Sequence, residues 1–150
     1  MNFKLKLAGV FAGVSGVLAL TSAISTENVP LEVGNQAPRI SAVNASGEVI
    51  SLSDLKGSEV ILNFWSVSDA ESRINNVRLE RMAGCDSIRY IGVCIDNDNQ
   101  LAMEVIKSDM LDADTQCFAD KSIIDEYQIE RGVRTVKIDP VSYTHLTLPT

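Results

Sequence analysis

The chain has 150 residues, of which 45% are hydrophobic and 22% are charged, a balance typical of a folded domain rather than a disordered one. Its formal net charge is −7 at pH 7. Such an acidic chain lacks the basic surface that displaces counterions from phosphates, so nucleic acid is not an expected partner.

The first residues have the pattern of an export signal. Lys4 and Lys6 form a short basic start, residues 7–20 are apolar but broken by glycine, and residues 21–23 are small. The apolar run has 14 residues, whereas a helix that spans a membrane needs roughly 20. A retained membrane anchor is the alternative. We therefore expect residues 1–23 to be a signal peptide. After its cleavage we expect a bacterial periplasmic or secreted protein without a membrane span.

The next segments predict an extended lead-in and a small β-hairpin. Residues 24–38 contain prolines and glycine, which favour extended chain. Residues 39–43 and 48–51 alternate between apolar and polar side chains around an Asn-Ala-Ser-Gly turn at 44–47. Residues 52–57 predict one helical turn that closes this appendage.

A buried strand followed directly by a helix is the strongest signal in the chain. Residues 60–65 form a nearly continuous apolar run, as expected of a central strand. Ser68 and Glu71 fit a capping box at the start of a helix over 69–83. The helix would pack on the strand through an apolar stripe: Ala70, Ile74, Val77 and Met82. Its positive N-terminus would then lie at the carboxyl edge of the sheet.

A second buried strand is predicted over residues 89–95. The following loop, 96–100, begins like a calcium loop, but Leu101 and Lys107 replace the required glycine and glutamate. We therefore expect a solvated loop that caps the next helix, and no metal site. The remaining predicted elements are a helix, a strand, a helix and a last strand, at 101–110, 115–119, 121–128 and 134–139.

Several stretches resemble the thioredoxin-like envelope disulfide reductases of the redoxin superfamily. NFWSVSDAESR (63–73) is similar to their strand-to-helix junction, typically FWASWCxxCR. GNQAPRISAVNASGEVISLSDLKG (34–57) resembles their lead-in, YIGVCID (90–96) their second core strand, and 127–139 their Y-x-V…FLID segment. The resemblance covers 33–139 and implies an α/β, thioredoxin-like fold with an N-terminal β-hairpin and a helix-rich insertion.

The resemblance places the reductase site on residues that cannot perform its chemistry. Phe64 and Trp65 match the family, and Arg73 matches the basic residue after the second cysteine. The two cysteines themselves fall on Asp69 and Ser72. A carboxylate suits the helix N-terminus but forms no mixed disulfide, and a serine does not resolve one.

A second departure concerns the family's cis-proline, which falls on Val133, before a last parallel strand. A non-proline cis bond costs about 2.5–4 kcal/mol, so this loop is expected to be trans. The resemblance thus implies a degenerate site without catalytic residues, cofactor or metal. It consists of Asp69, Ser72 and Val133, flanked by Trp65, Ser68, Glu71 and Arg73.

The three cysteines, Cys85, Cys94 and Cys117, form no C-x-x-C. Cys94 is expected to be a small buried residue, and Cys85 lies at the wrong helix end for an acidified thiol. A Cys94–Cys117 disulfide is conceivable if strand register brings the two Cα atoms within about 4.4–6.8 Å. The only histidine, His145, lies near the end of the chain, so no Cys–His dyad or histidine metal site is predicted.

Three arginines on the predicted long helix, Arg73, Arg78 and Arg81, have two interpretations. They could form an anion patch. The alternative is a solvated helix face that these arginines share with Glu71 and Glu80.

Residues 141–150, VSYTHLTLPT, resemble sequencing-adapter read-through. We therefore expect residues 24–139 to form a thioredoxin-like domain that is truncated before its last strand and helix, and 140–150 to be a non-native tail. β-branched and aromatic residues at 143–148 could still return along 134–138 as an edge strand.

Two functions fit these residues. The favoured hypothesis is a redox-inactive thioredoxin-like protein of the bacterial cell envelope that binds an envelope protein or a small ligand. The alternative is a thiol-disulfide oxidoreductase or peroxidase that uses Cys85, Cys94 or Cys117 in an atypical way. The replaced cysteine pair favours the first hypothesis and argues against an enzyme.

Overall fold

A five-stranded sheet of order β5-β4-β3-β6-β7 organises the chain, beside a two-stranded hairpin, β1-β2. The structure is a computed structural model that describes residues 34–84, 87–129 and 134–140, together with the backbone of 145–147. The predicted signal peptide, Cys85 and Val133 lie outside these residues. The elements are β1 Ser41–Val43, β2 Val49–Ser51, a 3₁₀ turn Leu52–Leu55, β3 Val60–Trp65, α1 Ala70–Ala83, β4 Arg89–Cys94, α2 Asn99–Ser108, β5 Gln116–Phe118, α3 Lys121–Glu126, β6 Thr135–Ile138 and β7 His145–Thr147.

The predicted hairpin is confirmed, and it is joined to the main sheet. β1 and β2 are antiparallel, and Gly47 takes a positive φ of 89° in the turn between them. The Asn44 side chain accepts a hydrogen bond from the backbone N–H of Glu48 at 2.7 Å. The N–H of Ala45 donates to the carbonyl of Gln116 in β5 at 2.7 Å, so the turn lies against the edge of the sheet.

β3 is the central strand, and each of its six residues is buried, as the apolar run predicts. It pairs parallel with β4 and antiparallel with β6. The expectation of a parallel last strand is therefore wrong: Val60 lies opposite Ile138 and Asn63 opposite Thr135 in an antiparallel register. The backbone of β7 returns antiparallel along β6, as the sequence at 143–148 predicts.

The two faces of the sheet have different cores. One face packs the lead-in and α3 against Val60, Leu62 and Phe64. The other face carries α1 and α2, because consecutive parallel crossovers of the same hand place their helices on one side. There Trp65 and Cys94 contact α2.

α1 has the predicted extent, but the predicted face is wrong. Ile74 is 70% exposed and Met82 is 59% exposed. The residues that α1 buries are Ser72, Asn76, Leu79 and Ala83. Two of these are polar, because the sheet beneath α1 offers hydrogen-bond partners rather than a purely apolar surface.

Candidate functional site

The site predicted at the start of α1 lies at the carboxyl edge of β3. The backbone leaves the sheet after Trp65, crosses residues 66–69 and enters α1 at Ala70. Asp69 is the N-cap residue in an extended conformation, and its carboxylate accepts from the N–H of Glu71 at 3.2 Å. A carboxylate at this position also complements the helix dipole.

The capping box predicted at Ser68 and Glu71 is therefore wrong by one residue. The Ser68 hydroxyl lies 3.0 Å from that of Ser66, and the Ser68 N–H donates to Ser66 Oγ at 3.3 Å. Glu71 is exposed in the first turn. Both Ser68 and Asp69 are favourable cap types, and the backbone conformation decides between them.

This cap predicts unequal effects of two neighbouring substitutions. Asp69→Ala is expected to lower the free energy of unfolding by about 1 kcal/mol, since a lost N-cap typically costs 0.5–2 kcal/mol. Ser68→Ala removes only exposed hydroxyl contacts and serves as the matched control. Urea denaturation of both variants checks this, and a larger shift for Ser68→Ala would contradict the assignment of the cap.

Ser72 bonds both ends of the loop formed by residues 66–69. Its side chain is buried, and its hydroxyl lies 2.9 Å from the carbonyl oxygen of Asp69. The Ser72 hydroxyl oxygen also accepts from the N–H of Ser66 at 3.2 Å. The residue at the second cysteine position is therefore a structural hydrogen-bonding group that joins the end of β3 to the first turn of α1.

Asp96 belongs to this site, although it was not among the predicted site residues. Its carboxylate accepts from the N–H of Val67 at 2.6 Å and from the hydroxyl of Ser66 at 3.1 Å. The sequence carried a usable signal, because Asp96 directly follows a strand parallel to β3 and both strands end at the same sheet edge. The next acidic residue, Asp98, caps α2 by accepting from Leu101 N at 3.0 Å, so the predicted capping loop is confirmed.

The proposed Cys94–Cys117 disulfide is wrong. Both residues are buried free cysteines. Cys117 pairs with Val93 in the β4–β5 register, so Cys94 and Cys117 point to opposite faces of the sheet. Burial raises the pKa of each thiol to about 12. Neither thiol forms a thiolate at neutral pH.

Arg73 pairs across helices rather than along its own helix. Its guanidinium holds the Asp109 carboxylate with two hydrogen bonds, Nε–Oδ2 at 3.0 Å and Nη2–Oδ1 at 2.7 Å. Hydrogen bonding to Asp109 raises the pKa of Arg73. Arg73 thus joins α1 to the end of α2 and is not only part of a solvated helix face. Arg78 donates to Asn75 at 2.8 Å.

A buried polar network lies beneath α1, adjacent to the site. Asn76 Oδ1 accepts from the hydroxyl of Tyr90 and from Asn63 Nδ2, the latter at 3.4 Å. Asn76 Nδ2 donates to Gln116 Oε1 at 3.1 Å. Gln116 Oε1 also accepts from the indole of Trp65 at 3.1 Å. The interior of this face is thus held by directional bonds from three strands and a helix.

Two further features show how tightly the network is packed. Thr135 Oγ1 donates to Asn63 Oδ1 at 2.8 Å, which extends the bonds to β6. A Cβ at Gly92 would collide with the side chains of Gln116 and Asn76, so only glycine fits there. The polar residue Asn63 within an otherwise apolar strand was the sequence signal for this layer.

The chemistry available at the site is hydrogen bonding rather than thiol exchange. The oxygens of Asp69, Ser72 and Asp96 hold the backbone of the loop and helix start. Among the described residues, no set of histidine, cysteine or acidic side chains is arranged to hold a metal ion. The same residues include no helix long and apolar enough to cross a membrane.

Comparison with known proteins identifies the fold as thioredoxin-like. The thioredoxin domain of a thiol-disulfide oxidoreductase from Bacteroides vulgatus superposes with a TM-score of 0.68 at 20% identity, over 77% of this chain and 86% of that chain. A thioredoxin-like protein from Parabacteroides distasonis gives a TM-score of 0.63 at 25% identity, over 78% and 89%. The predicted α/β thioredoxin-like fold is confirmed.

The sequence comparison covers a smaller part of the chain than the structure comparison. The thioredoxin-like protein YneN of Bacillus subtilis is 48% identical over 42 residues, which are 28% of this chain and 25% of that protein. The match therefore spans about a quarter of the length of that relative. No protein-family model matches the chain. The relatives named here are described as a thiol-disulfide oxidoreductase and thioredoxin-like proteins, in agreement with the resemblance stated for residues 33–139.

Proposed function

We propose that this chain is a redox-inactive thioredoxin-like protein of the bacterial cell envelope that acts by binding an envelope protein or a small ligand. The observation that carries the proposal is the bonding at the two positions where the related reductases have cysteines. Asp69 caps α1, and Ser72 closes the preceding loop, so both side chains have structural roles in place of redox roles.

The buried cysteines also support a binding role. A nucleophilic thiol needs an exposed position and a lowered pKa. Burial instead raises the pKa of Cys94 and of Cys117 to about 12, and the two side chains are separated by the sheet. The export pattern of residues 1–23 supports the envelope location. The alternative, an enzyme with an atypical cysteine, would then depend on Cys85, which lies outside the described residues.

An insulin-reduction assay with dithiothreitol tests the proposal. The chain is expected to reduce insulin at the rate of buffer alone. The Asp69→Cys/Ser72→Cys variant is the positive control, and it is expected to gain partial activity because position 133 is valine rather than the proline of the reductases. Reduction above the buffer rate by the unaltered chain, abolished by Cys85→Ala, would overturn the proposal in favour of the alternative.

A further inference from the structure

The outer face of α1 and the end of α2 form a groove that shares only the Arg73–Asp109 pair with the site described above. We call this surface the α1 groove. It has a volume of about 690 Å³ and is lined by Ala70, Arg73, Ile74, Val77, Arg78, Arg81, Met82, Ser108, Asp109 and Met110. Asp69, Ser72 and Asp96, whose oxygens hold the loop at 66–69 and the helix start, do not line it.

The floor of the α1 groove is apolar and exposed. Ile74, Met82 and Met110 are 70%, 59% and 81% exposed. Ile74 and Met82 lie two turns apart on one side of α1, so they form a stripe of the kind a helix normally buries. Contiguous exposed apolar surface of this kind marks interaction sites. The unbranched methionine side chains can adapt to the shape of a partner.

The stripe is exposed because α1 turns another face to the sheet. On that face Ser72 and Asn76 are buried through hydrogen bonds, and Leu79 and Ala83 pack on the core. From Ile74 to Met82 the stripe runs for about 12 Å along the helix at 1.5 Å per residue. This length matches about two turns of a partner helix laid into the groove.

The charge around the stripe is opposite to that of the chain. Three arginines and one aspartate line the α1 groove, whereas the whole sequence has 20 acidic and 13 basic side chains. Arg73 and Asp109 neutralise each other at one end. Arg78 and Arg81 are both exposed and lie one turn apart on α1. An apolar partner with acidic flanks therefore complements the groove best.

We propose that the α1 groove docks an amphipathic helical segment of a partner protein, with apolar side chains on Ile74, Met82 and Met110 and acidic side chains near Arg78 and Arg81. This inference deepens the proposed binding role by giving the chemistry of the partner. It does not depend on the redox assay, because a chain that reduced insulin could still bind through this face.

Two synthetic helical peptides provide the test. Both carry the same leucine stripe, flanked by glutamates in one peptide and by lysines in the other. Fluorescence anisotropy with the full chain is expected to show about tenfold tighter binding of the glutamate peptide, a factor that corresponds to about 1.4 kcal/mol. Arg78→Glu combined with Arg81→Glu is expected to reverse this preference. Equal affinity for the two peptides, or no binding of either, would overturn the proposal.

The apolar contribution is tested by Ile74→Ser combined with Met110→Ser, which is expected to weaken binding of the glutamate peptide by about tenfold. Val49→Ser is the matched control, since Val49 is 65% exposed on β2, outside the α1 groove. An equal loss in the control would contradict the proposed location. A dimer in solution that Ile74→Ser converts to monomer would also overturn the proposal, because the occupant would then be a second copy of the chain.

Discussion

Replacing Asn76 by alanine is expected to lower the free energy of unfolding by about 3 kcal/mol, because each buried polar group left without a partner costs about 1–3 kcal/mol. Asn76 is buried at the centre of the network beneath α1. Its side chain accepts from the hydroxyl of Tyr90 and donates to Gln116 Oε1. Alanine would remove these bonds together, and the buried Tyr90 hydroxyl and Gln116 Oε1 would each lose a partner.

Asn75→Ala is the matched control, because Asn75 is the neighbouring residue of the same type on the same helix. Its half-buried side chain donates to Asn63 Oδ1 at 3.2 Å and to Thr135 Oγ1 at 3.4 Å, at the edge of the network. Water can replace these bonds there, so a smaller cost of about 1 kcal/mol is expected. Urea denaturation of both variants measures the two costs. Equal shifts would show that Asn76 does not hold α1 to the sheet in the manner described.

Stability is also expected to fall steeply in alkali. Cys94 and Cys117 ionise near 9.0 in an unfolded chain, whereas their folded pKa is about 12. Below pH 9 both states keep the proton, and the thiols contribute no pH dependence. As the pH rises above 9 the unfolded chain binds fewer protons than the folded chain, so the free energy of unfolding decreases, by about 1.4 kcal/mol per pH unit for each thiol.

The two thiols together should lower the free energy of unfolding by about 4 kcal/mol between pH 8 and pH 10.5, the order of magnitude that linkage gives for shifts of this size. Burial also raises the pKa of Tyr90 and of Tyr127, which adds to the loss at higher pH. Denaturation at a series of pH values measures the slope. The Cys94→Ala/Cys117→Ala variant is the control and should show a clearly flatter profile between pH 9 and 10.5. An unchanged slope in this variant would contradict the buried, protonated state of the thiols.

The order and extent of the elements could be predicted because they follow from local patterns. The apolar run of β3 contains one polar residue, Asn63. The helix that follows it begins after a segment in which several short polar side chains could act as the cap. Alternation around a glycine turn was sufficient to predict the β1–β2 hairpin. The thioredoxin-like arrangement then followed from the resemblance rather than from the pattern of elements.

The orientation of α1 could not be predicted from hydrophobic periodicity. That method assigns the apolar stripe of Ile74 and Met82 to the core, but Asn76 is buried instead. The reason is a set of partners that are distant in sequence, such as Tyr90 and Gln116, which satisfy an amide only after the strands have paired. Single-helix patterns contain no information about such partners.

Strand register posed a similar problem at the cysteines. Cys94 and Cys117 lie on neighbouring strands, and a shift of one residue would have placed them on the same face. No feature of the β5 sequence alone fixes that register. The helix cap shows the same sensitivity on a smaller scale, since Ser68 and Asp69 differ only in which of them adopts the extended backbone before α1.

The most direct test of the redox-inactive site is a redox titration of the full chain. The chain is equilibrated in glutathione buffers from reducing to oxidising, the free thiols are alkylated with a maleimide, and mass spectrometry counts them. The proposed redox-inactive state predicts that no intramolecular disulfide forms at any potential, whereas the Asp69→Cys/Ser72→Cys variant gains a two-thiol transition. A two-thiol transition in the unaltered chain would contradict the central claim that its thioredoxin-like site has no dithiol chemistry.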